Sequence, residues 1–319
     1  MKDRAGNTRS PRTRKEPAMA RKTYTPQQKE AARAARAEKV EQMHDELSAA
    51  VDALMQSGRW LRWLDFLGSF HRYSFNNTML IQVQCPHATQ VAGFKAWQAK
   101  GRQVRKGEKG IRIFGKPFRL VSETDEATGE TTRKAIKCPP PVVSVFDISQ
   151  TDPIEGVEQL TAPVAQLQGD DHAALYERIS EWMTGQGWTV TREQIPGESN
   201  GYCTVDGTRR IVVDADLSDA HAAKTAIHEA AHAILHTDDE GTLTTEPDQA
   251  TRELEAESVA YVVAALHDLD TSDYSVGYLA SWSGGQADTI KVTAVRVQEA
   301  VHLIADALTD EDQDEEATG

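Results

Sequence analysis

The stretch of sequence that most constrains the fold is residues 225–236, which reads TAIHEAAHAILH. Because it is rich in alanine and contains neither Gly nor Pro, it predicts a helix. On a helix, His228 and His232 lie one turn apart and project from the same face. Two imidazoles held in this way can bind one Zn²⁺ at about 2.0–2.1 Å each. Glu229 lies beside the first imidazole and is the candidate catalytic base, since zinc lowers the pKa of a bound water to about 7.

The HExxH spacing is a specific signal for a zinc metalloprotease site. With ten His among 319 residues, chance would give this motif roughly 0.02 times. The alternative is a helix with two unligated histidines. Apolar flanking residues such as Ile227 and Leu235 indicate a buried helix, where two unligated imidazoles would be costly. His236 continues the same face one turn beyond His232, and we interpret it as structural.

A third protein ligand is expected from the next helical stretch, residues 252–263, which reads RELEAESVAYVV. Glu253 and Glu257 share one face of this helix, whereas Glu255 lies about 200° away from Glu253. The shared face continues with the small apolar Ala260, so the pair is expected to point inward. We predict Glu253 as the third metal ligand and Glu257 as an acceptor that orients a ligand histidine.

Two alternatives stay open for this acidic pair: the two roles could be exchanged, or the pair could belong to a salt-bridged surface helix. The combined pattern resembles the gluzincin group of metallopeptidases, in which HExxH is followed by a helix carrying ExxxD. Here Glu257 stands in place of the Asp. Within that group, HEAAHAILH followed by ELEAESVAYVV is similar to the ImmA/IrrE-type peptidases of mobile elements. The resemblance covers residues 200–267 and implies a zincin-like domain.

Charge is spread unevenly along the chain. The formal net charge is −14, yet residues 1–40 hold 12 Lys/Arg against 4 Asp/Glu, while residues 310–319 hold six acidic residues and no base. We therefore predict a disordered basic tail at 1–24 and an acidic tail at 309–319. The basic front end is a hint of nucleic-acid contact, although it could also be only a solvated arm.

The three cysteines, Cys85, Cys138 and Cys203, lie far apart and form no CxxC pair. Neither a disulfide framework nor a cysteine-type zinc site is indicated, and a reducing, cytoplasmic setting is expected. The N-terminus has no apolar h-region, and no run approaches the roughly 18 apolar residues of a membrane helix. We therefore predict neither a signal peptide nor a membrane partner.

A second informative region lies at residues 95–119, which hold nine Lys/Arg and one acidic residue, Glu108. Phe94 and Trp97 lie among these charges. Basic residues interleaved with aromatic ones suit single-stranded nucleic acid, because cations neutralise phosphates and rings stack on unpaired bases. The alternative is a basic surface over an ordinary core in which Trp97 is buried.

Three segments of this half carry a closer resemblance: YSFNNTMLIQ from Tyr73, AGFKAWQAKGRQVRKGEKGI at 92–111 and VFDISQT at 145–151. They resemble the N-terminal domain of ArdC-type antirestriction proteins over residues 42–155. The resemblance implies a single-stranded DNA-binding domain joined to a C-terminal zincin-like metallopeptidase domain.

Residues 107–110, GEKG, predict a tight turn into a strand at 111–114. That turn could present Arg105, Lys106 and Lys109 to a phosphate backbone; the alternative is a hairpin turn whose lysines are only solvated. The candidates for DNA contact are Tyr73, Asn77, Phe94, Trp97, Arg102, Arg105, Lys106 and Lys109.

These features predict an α+β protein with two domains. The basic tail is followed by the DNA-binding domain at 25–150, a linker at 151–170, the zincin-like domain at 171–308 and the acidic tail. We expect helices from Thr25 to Gly58 and at 73–82, 171–184 and 287–308, a hairpin tip at 122–135, strands at 111–114, 142–148, 188–190, 202–205 and 210–213, and a loop with a short helical piece at 268–286. Asp206-Gly207 predicts a hairpin between the last two strands.

Together the two resemblances imply an antirestriction-type protein of a phage or other mobile element that binds single-stranded DNA and carries a zinc-dependent peptidase domain. One alternative is a regulatory zinc metallopeptidase that cleaves a repressor or a restriction subunit. Another is a non-catalytic interaction domain that zinc stabilises. The expected partners are single-stranded DNA and, for a peptidase, a protein substrate.

Overall fold

The computed structural model describes residues 25–54, 58–124, 131–157, 172–269 and 287–308. The predicted basic and acidic tails, most of the predicted linker and nearly all of the predicted loop at 268–286 lie outside these ranges. Within them the chain combines helices and strands, as the α+β prediction requires. None of the helices in these ranges is both long enough and apolar enough to cross a bilayer.

Eight α-helices and one short 3-10 helix, Ile148–Gln150, lie in the described ranges. The α-helices are α1 (Pro26–Leu54), α2 (Arg59–Phe70), α3 (Phe75–Gln84), α4 (Phe94–Ala99), α5 (His172–Gly185), α6 (Asp219–His236), α7 (Gln249–Leu266) and α8 (Ala287–Leu308). The first turn of α1 has a capping box: the Thr25 amide donates to the Gln28 side chain, and the Gln28 amide donates to the Thr25 hydroxyl. Contacts divide the chain after Gln42, within α1, and the second unit, Met43–Gly319, contains all later elements.

Ten strands accompany these helices. They are β1 (Val91–Ala92), β2 (Arg102–Val104), β3 (Ile111–Phe114), β4 (Phe118–Thr124), β5 (Thr131–Lys137), β6 (Val142–Asp147), β7 (Thr151–Pro153), β8 (Thr189–Glu193), β9 (Gly201–Cys203) and β10 (Arg210–Asp214). In the N-terminal half, β1-β6-β3 form one sheet, β2 pairs with β7, and β4 pairs with β5 as a hairpin. The first residues of the predicted linker, Thr151–Pro153, are therefore a strand of this half.

In the C-terminal half, the described residues form one sheet, in the order β8-β10-β9. Its central strand β10 runs parallel to β8 and antiparallel to β9. Ile211, Val212 and Val213 of β10 are fully buried, which is the pattern of a strand covered on both faces. This sheet supports α6, and β9 is an edge strand beside that helix.

The loop between β9 and β10, residues 204–209, is longer than the turn at 206–209 that the predicted strands leave. The hydroxyl of Thr204 accepts a hydrogen bond from the Arg210 amide at 2.8 Å, so regular strand pairing stops before Asp206. Gly207 has the positive φ of 86° that a tight turn needs, and its amide donates to the Gly241 carbonyl. The loop is thereby tied to the segment that follows α6.

One apolar core joins the two predicted domains. It contains Trp63 and Met79 from the N-terminal half and Val259 and Ile304 from the C-terminal half, all at most 1% exposed. A hydrogen bond of 2.9 Å from the indole of Trp60 to Ser258 crosses the same interface. The helix that carries the predicted acidic ligands, α7, is therefore packed directly against α2.

Candidate metal centre

The packing of α7 against α6 gathers the predicted metal ligands. The Nε2 atoms of His228 and His232 are 3.1 Å apart, and Oε2 of Glu253 lies 3.6 Å from each of them. A tetrahedral zinc site with bonds of about 2.0–2.1 Å has edges of about 3.3–3.4 Å between its ligand atoms. The three donors therefore have the chemistry and the spacing of three corners of such a site, and a fourth corner is left for water or substrate.

Glu257 lies on the other side of His228. Its Oε2 is 3.1 Å from Nδ1 of His228, and its Oε1 accepts a hydrogen bond of 2.8 Å from Lys224. In this position the carboxylate can accept the Nδ1 proton of His228, which leaves the Nε2 lone pair facing Glu253. The exchanged arrangement, with Glu257 as the ligand, would require the imidazole of His228 to turn over.

Charge interactions in the site are strong. Burial lowers the pKa of His228, but Glu253 and Glu257 outweigh burial and raise it to about 9. In turn, the nearby imidazoles of His228 and His232 hold the pKa of Glu253 far below its ordinary value. The acidic residues thus favour a positive charge at the imidazoles, which a divalent cation supplies as well as a proton does.

Glu229 lies beside this cluster on α6 and is 7% exposed. Burial raises the pKa of its carboxyl, which favours proton transfer near neutral pH. Strand β9 passes close to it: a Cβ on Gly201 would lie 2.6 Å from Cγ2 of Thr225 and 3.4 Å from Cγ of Glu229. Only glycine allows this approach, and the sequence patterns gave no signal for it.

His236 is buried, as a structural residue would be, but it also contacts a predicted ligand. Its Nδ1 lies 3.0 Å from Nδ1 of His232, and its Nε2 lies 3.0 Å from Oε2 of Glu255. Arg296 of α8 donates to the same Glu255 oxygen at 3.1 Å. Sequence reasoning placed Glu255 away from Glu253, as it is, but missed its link to the site. The sequence feature that could have revealed this link is the spacing of His228, His232 and His236, which puts the three histidines on one face of the helix.

Trp97 does not fit the predicted stacking role. Its side chain is 1% exposed, and its indole donates a hydrogen bond of 2.8 Å to the carbonyl of Phe146. A ring enclosed in this way has no face for a base. The alternative, in which Trp97 belongs to the core beneath a basic surface, describes its environment.

Three further DNA candidates make hydrogen bonds that hold the N-terminal half together. Asn77 bridges α3 to β3, because its Nδ2 donates to the Phe114 carbonyl and its Oδ1 accepts from the Phe114 amide, both at 2.9 Å. The Tyr73 hydroxyl donates to the Val91 carbonyl at 3.1 Å. The Arg102 guanidinium donates to the hydroxyl of Thr151 at 2.7 Å and to the carbonyl of Thr151 at 3.2 Å. Each of the three side chains thus makes hydrogen bonds within the fold.

The remaining candidates lie at the surface. Phe94 is 44% exposed, and Lys106 and Lys109 have exposed side chains. Arg105 is also exposed but forms salt bridges of 3.0 Å with Glu108 and 3.3 Å with Asp152. Phe94, Arg105 and Lys106 line one open depression of about 590 Å³.

Two family models match separate parts of the chain. The N-terminal domain of the anti-restriction factor ArdC matches residues 33–146. The IrrE N-terminal-like domain, a peptidase family model, matches residues 184–267 and so includes the whole candidate metal centre.

Individual proteins are similar over most of the chain. An uncharacterised protein of Bacillus anthracis is 27% identical over 302 residues, which cover 84% of this chain and 50% of that protein. The chain thus spans about half the length of this curated relative. The antirestriction ArdC protein from plasmid R388 is 20% identical in two crystal structures that cover 74% of this chain. The metal-free form is covered to 85% with a TM-score of 0.40, and the Mn(II)-bound form to 84% with a TM-score of 0.43.

The order of the two matches is the one that the sequence motifs predicted. Residues 33–146 are similar to an ArdC N-terminal domain, and residues 184–267 are similar to an IrrE N-terminal-like domain.

Proposed function

We propose that the C-terminal half is a zinc-dependent peptidase. The observation that carries the proposal is that Nε2 of His228, Nε2 of His232 and Oε2 of Glu253 all lie within 3.6 Å of one another, with Glu229 beside them. Two imidazoles and one carboxylate with an open fourth position are the donor set of catalytic zinc sites. The peptidase family match of residues 184–267 supports the same assignment.

In this mechanism His228, His232 and Glu253 would hold a zinc ion, which would supply Lewis acidity toward the scissile carbonyl and a water molecule. The Glu229 carboxylate accepts the proton of the attacking water and passes it to the leaving amine. Glu257 holds the Nδ1 proton of His228 and thereby keeps the Nε2 lone pair directed to the ligand side. The low exposure of Glu229 limits competing hydrogen bonds from bulk water.

An extended peptide is the substrate that suits the surroundings of Glu229. Within the described ranges, β9 is paired on one side only, with β10. Its free edge can take another strand by backbone hydrogen bonds. Because Gly201 brings β9 close to Glu229, a peptide on that edge would have its backbone near the base.

We further propose that the N-terminal half binds single-stranded DNA and that the whole protein counters restriction for a mobile element. The match of residues 33–146 to the ArdC N-terminal domain supports this. The exposed Phe94 ring lines the same depression as Lys106, so this surface offers an aromatic ring for stacking and a cation for phosphate, which suit unpaired nucleotides.

Glu229→Gln separates catalysis from metal binding. We expect purified Glu229→Gln to keep its zinc, measured by elemental analysis, and to lose at least about 100-fold in the cleavage rate of a mixed-sequence fluorogenic peptide library. Glu181→Gln, at an exposed position of α5, is the matched control and should behave as the parent. Equal cleavage by the parent and Glu229→Gln would refute the peptidase mechanism.

A non-catalytic domain is the second candidate, and the shared core favours it. The helix that carries Glu253 also packs against α2, so a metal ion there would stabilise the joint between the halves. In that case the parent would bind zinc, unfold at a higher temperature with it, and cleave none of the library. A regulatory peptidase that cleaves one repressor or restriction subunit would instead cleave that protein and depend on Glu229.

Phe94→Ala tests the DNA proposal. Loss of one stacking ring costs about 1–3 kcal/mol per base, so the affinity for a labelled oligo-dT strand should fall about 5–150-fold in fluorescence anisotropy. Phe118→Ala is the matched control, because Phe118 is 42% exposed on the hairpin, against 44% for Phe94. No binding by the parent, or equal binding to duplex DNA, would remove the DNA function.

A further inference from the structure

The candidate metal centre continues beyond its ligands along a buried line of side chains. From Nδ1 of His232 the line passes to His236 at 3.0 Å and from Nε2 of His236 to Glu255 at 3.0 Å. It ends at Arg296, which donates to the same Glu255 oxygen. His236 and Glu255 are each 1% exposed, so water cannot replace either contact.

Hydrogen bonding along this line fixes where the protons lie. Glu255 accepts from Arg296 and is the acceptor for His236, so the His236 proton is on Nε2. A neutral His236 then has its lone pair on Nδ1, where it faces Nδ1 of His232. A hydrogen bond between two imidazole nitrogens needs one proton, which must therefore come from His232. The lone pair of His232 is left on Nε2, the atom that faces Glu253.

We propose that His236 is a positioning residue for the metal site: through its hydrogen bond it sets the tautomer and ring orientation of His232, with Glu255 as the terminal acceptor. His228 and His232 would then be held by equivalent means, since Glu257 accepts the Nδ1 proton of one and His236 that of the other. The inference rests on the proposed metal site. It adds a role for three residues, His236, Glu255 and Arg296, that lie outside the ligand set.

The arrangement also ties α8 to the ligand helices. Arg296 donates to the Leu235 carbonyl in the last turn of α6 as well as to Glu255 of α7. The last helix therefore contributes to the orientation of His232 without contacting the metal position. Loss of a side chain that orients a metal-bound histidine weakens metal affinity about 10–100-fold in other proteins.

Two substitutions at one position test the proposal. In His236→Asn, the side-chain oxygen can occupy the place of Nδ1 and still accept from His232. In His236→Leu, a side chain of similar size offers no acceptor. We expect the zinc dissociation constant, measured by competition with a chromogenic chelator, to rise about 10–100-fold in His236→Leu and less than about threefold in His236→Asn.

The outcomes distinguish this proposal from the proposed function. A parent that binds no zinc would refute the metal site, and the positioning role with it. A parent that binds zinc tightly, with unchanged affinity in His236→Leu, would refute the positioning role alone. Thermal unfolding of the metal-free proteins shows whether the substitution acts through the fold instead: equal loss of stability and of affinity in both variants would overturn the proposal.

A measurement on the unmodified protein covers the case in which His236→Leu does not fold. Long-range ¹H–¹⁵N correlations of zinc-loaded protein with labelled histidine report which ring nitrogen carries the proton. We expect the proton on Nε2 in His236 and on Nδ1 in His232. A proton on Nδ1 of His236 would overturn the proposal.

Discussion

Two polar regions of this protein differ in how their side chains are held. Between α6 and α7, the imidazoles of His228, His232 and His236 are mostly buried, and each has its second ring nitrogen within 3.1 Å of a partner side chain. At the turn between β2 and β3, Lys106 and Lys109 project into solvent, and only Arg105 is engaged by acidic neighbours. Burial makes an unpaired polar group costly, so the first region has a determined geometry, whereas the second does not.

The difference extends to function. A buried, preorganised set of donors can bind a small cation at one point with defined angles. An exposed set of cations and one aromatic ring can bind a flexible polyanion, which adapts to it. The comparison predicts that single substitutions between α6 and α7 have large effects on metal binding. Substitutions at the turn between β2 and β3 should have smaller, salt-dependent effects on DNA binding.

The largest expected effect is the loss of metal from His228→Ala. Removing one of three ligands should reduce bound zinc from about one ion per chain to nearly none after dialysis. His221→Leu, on the same helix but in its first turn, should retain the ion. Elemental analysis of the dialysed proteins decides between them, and retained zinc in His228→Ala would place the metal elsewhere.

Trp97→Ala and Phe94→Ala should differ in their effects on stability and on DNA binding, although the two residues are only three positions apart in the sequence. The first removes a fully buried ring and should lower the free energy of unfolding by about 3–5 kcal/mol. The second removes a half-exposed ring and should lower it by about 1 kcal/mol or less while weakening DNA binding. Urea unfolding measures both. Equal destabilisation would mean that Phe94 is also a core residue.

Asn77→Ala tests whether a predicted DNA contact is a structural residue. It leaves the amide and carbonyl of Phe114 without their side-chain partner, so we expect a loss of about 1–3 kcal/mol in the free energy of unfolding. Asn76→Ala, at the neighbouring half-buried position, should change it by less than about 0.5 kcal/mol. An Asn77→Ala variant that keeps its stability but fails to bind oligo-dT would instead support a DNA contact by Asn77.

The acid–base chemistry of the buried centre predicts a dependence on pH. The acidic neighbours of His228 raise its pKa to about 9 in the metal-free protein, and the imidazole must lose that proton to bind zinc. Apparent zinc affinity should therefore rise about tenfold for each pH unit between 6.5 and 8.5. Chelator competition at three pH values measures this, and a flat profile would show that His228 is not a ligand.

The smallest effect is expected at the exposed turn. Replacing both Lys106 and Lys109 with Glu should reduce the salt dependence of oligo-dT binding, with a log–log slope shallower by about 1.4, since each phosphate contact contributes about 0.7. The same change at Lys134 and Lys137, exposed on β5, alters the net charge equally. Equal weakening by both pairs would mean that overall charge, and not this turn, governs binding.

The sequence by itself determined the parts of this protein in which the spacing of residues along a helix or strand fixes their relative positions. HExxH on a helix specifies two imidazoles on one face, and the acidic residues at 253 and 257 lie one turn apart on the next helix, whatever surrounds them. Strand β3 and helix α8 follow from turn signals and apolar periodicity in the same local way. The ArdC-type and IrrE-type motifs were recognisable for this reason.

Only the tertiary structure decided which polar and aromatic residues the fold itself uses. Composition cannot distinguish a buried Trp97 from an exposed Phe94, because their environments depend on strands and helices distant in sequence. The link from His232 through His236 to Glu255 and Arg296 likewise requires three helices to meet. Contacts of this kind arise from packing between separate segments, and no local pattern encodes them.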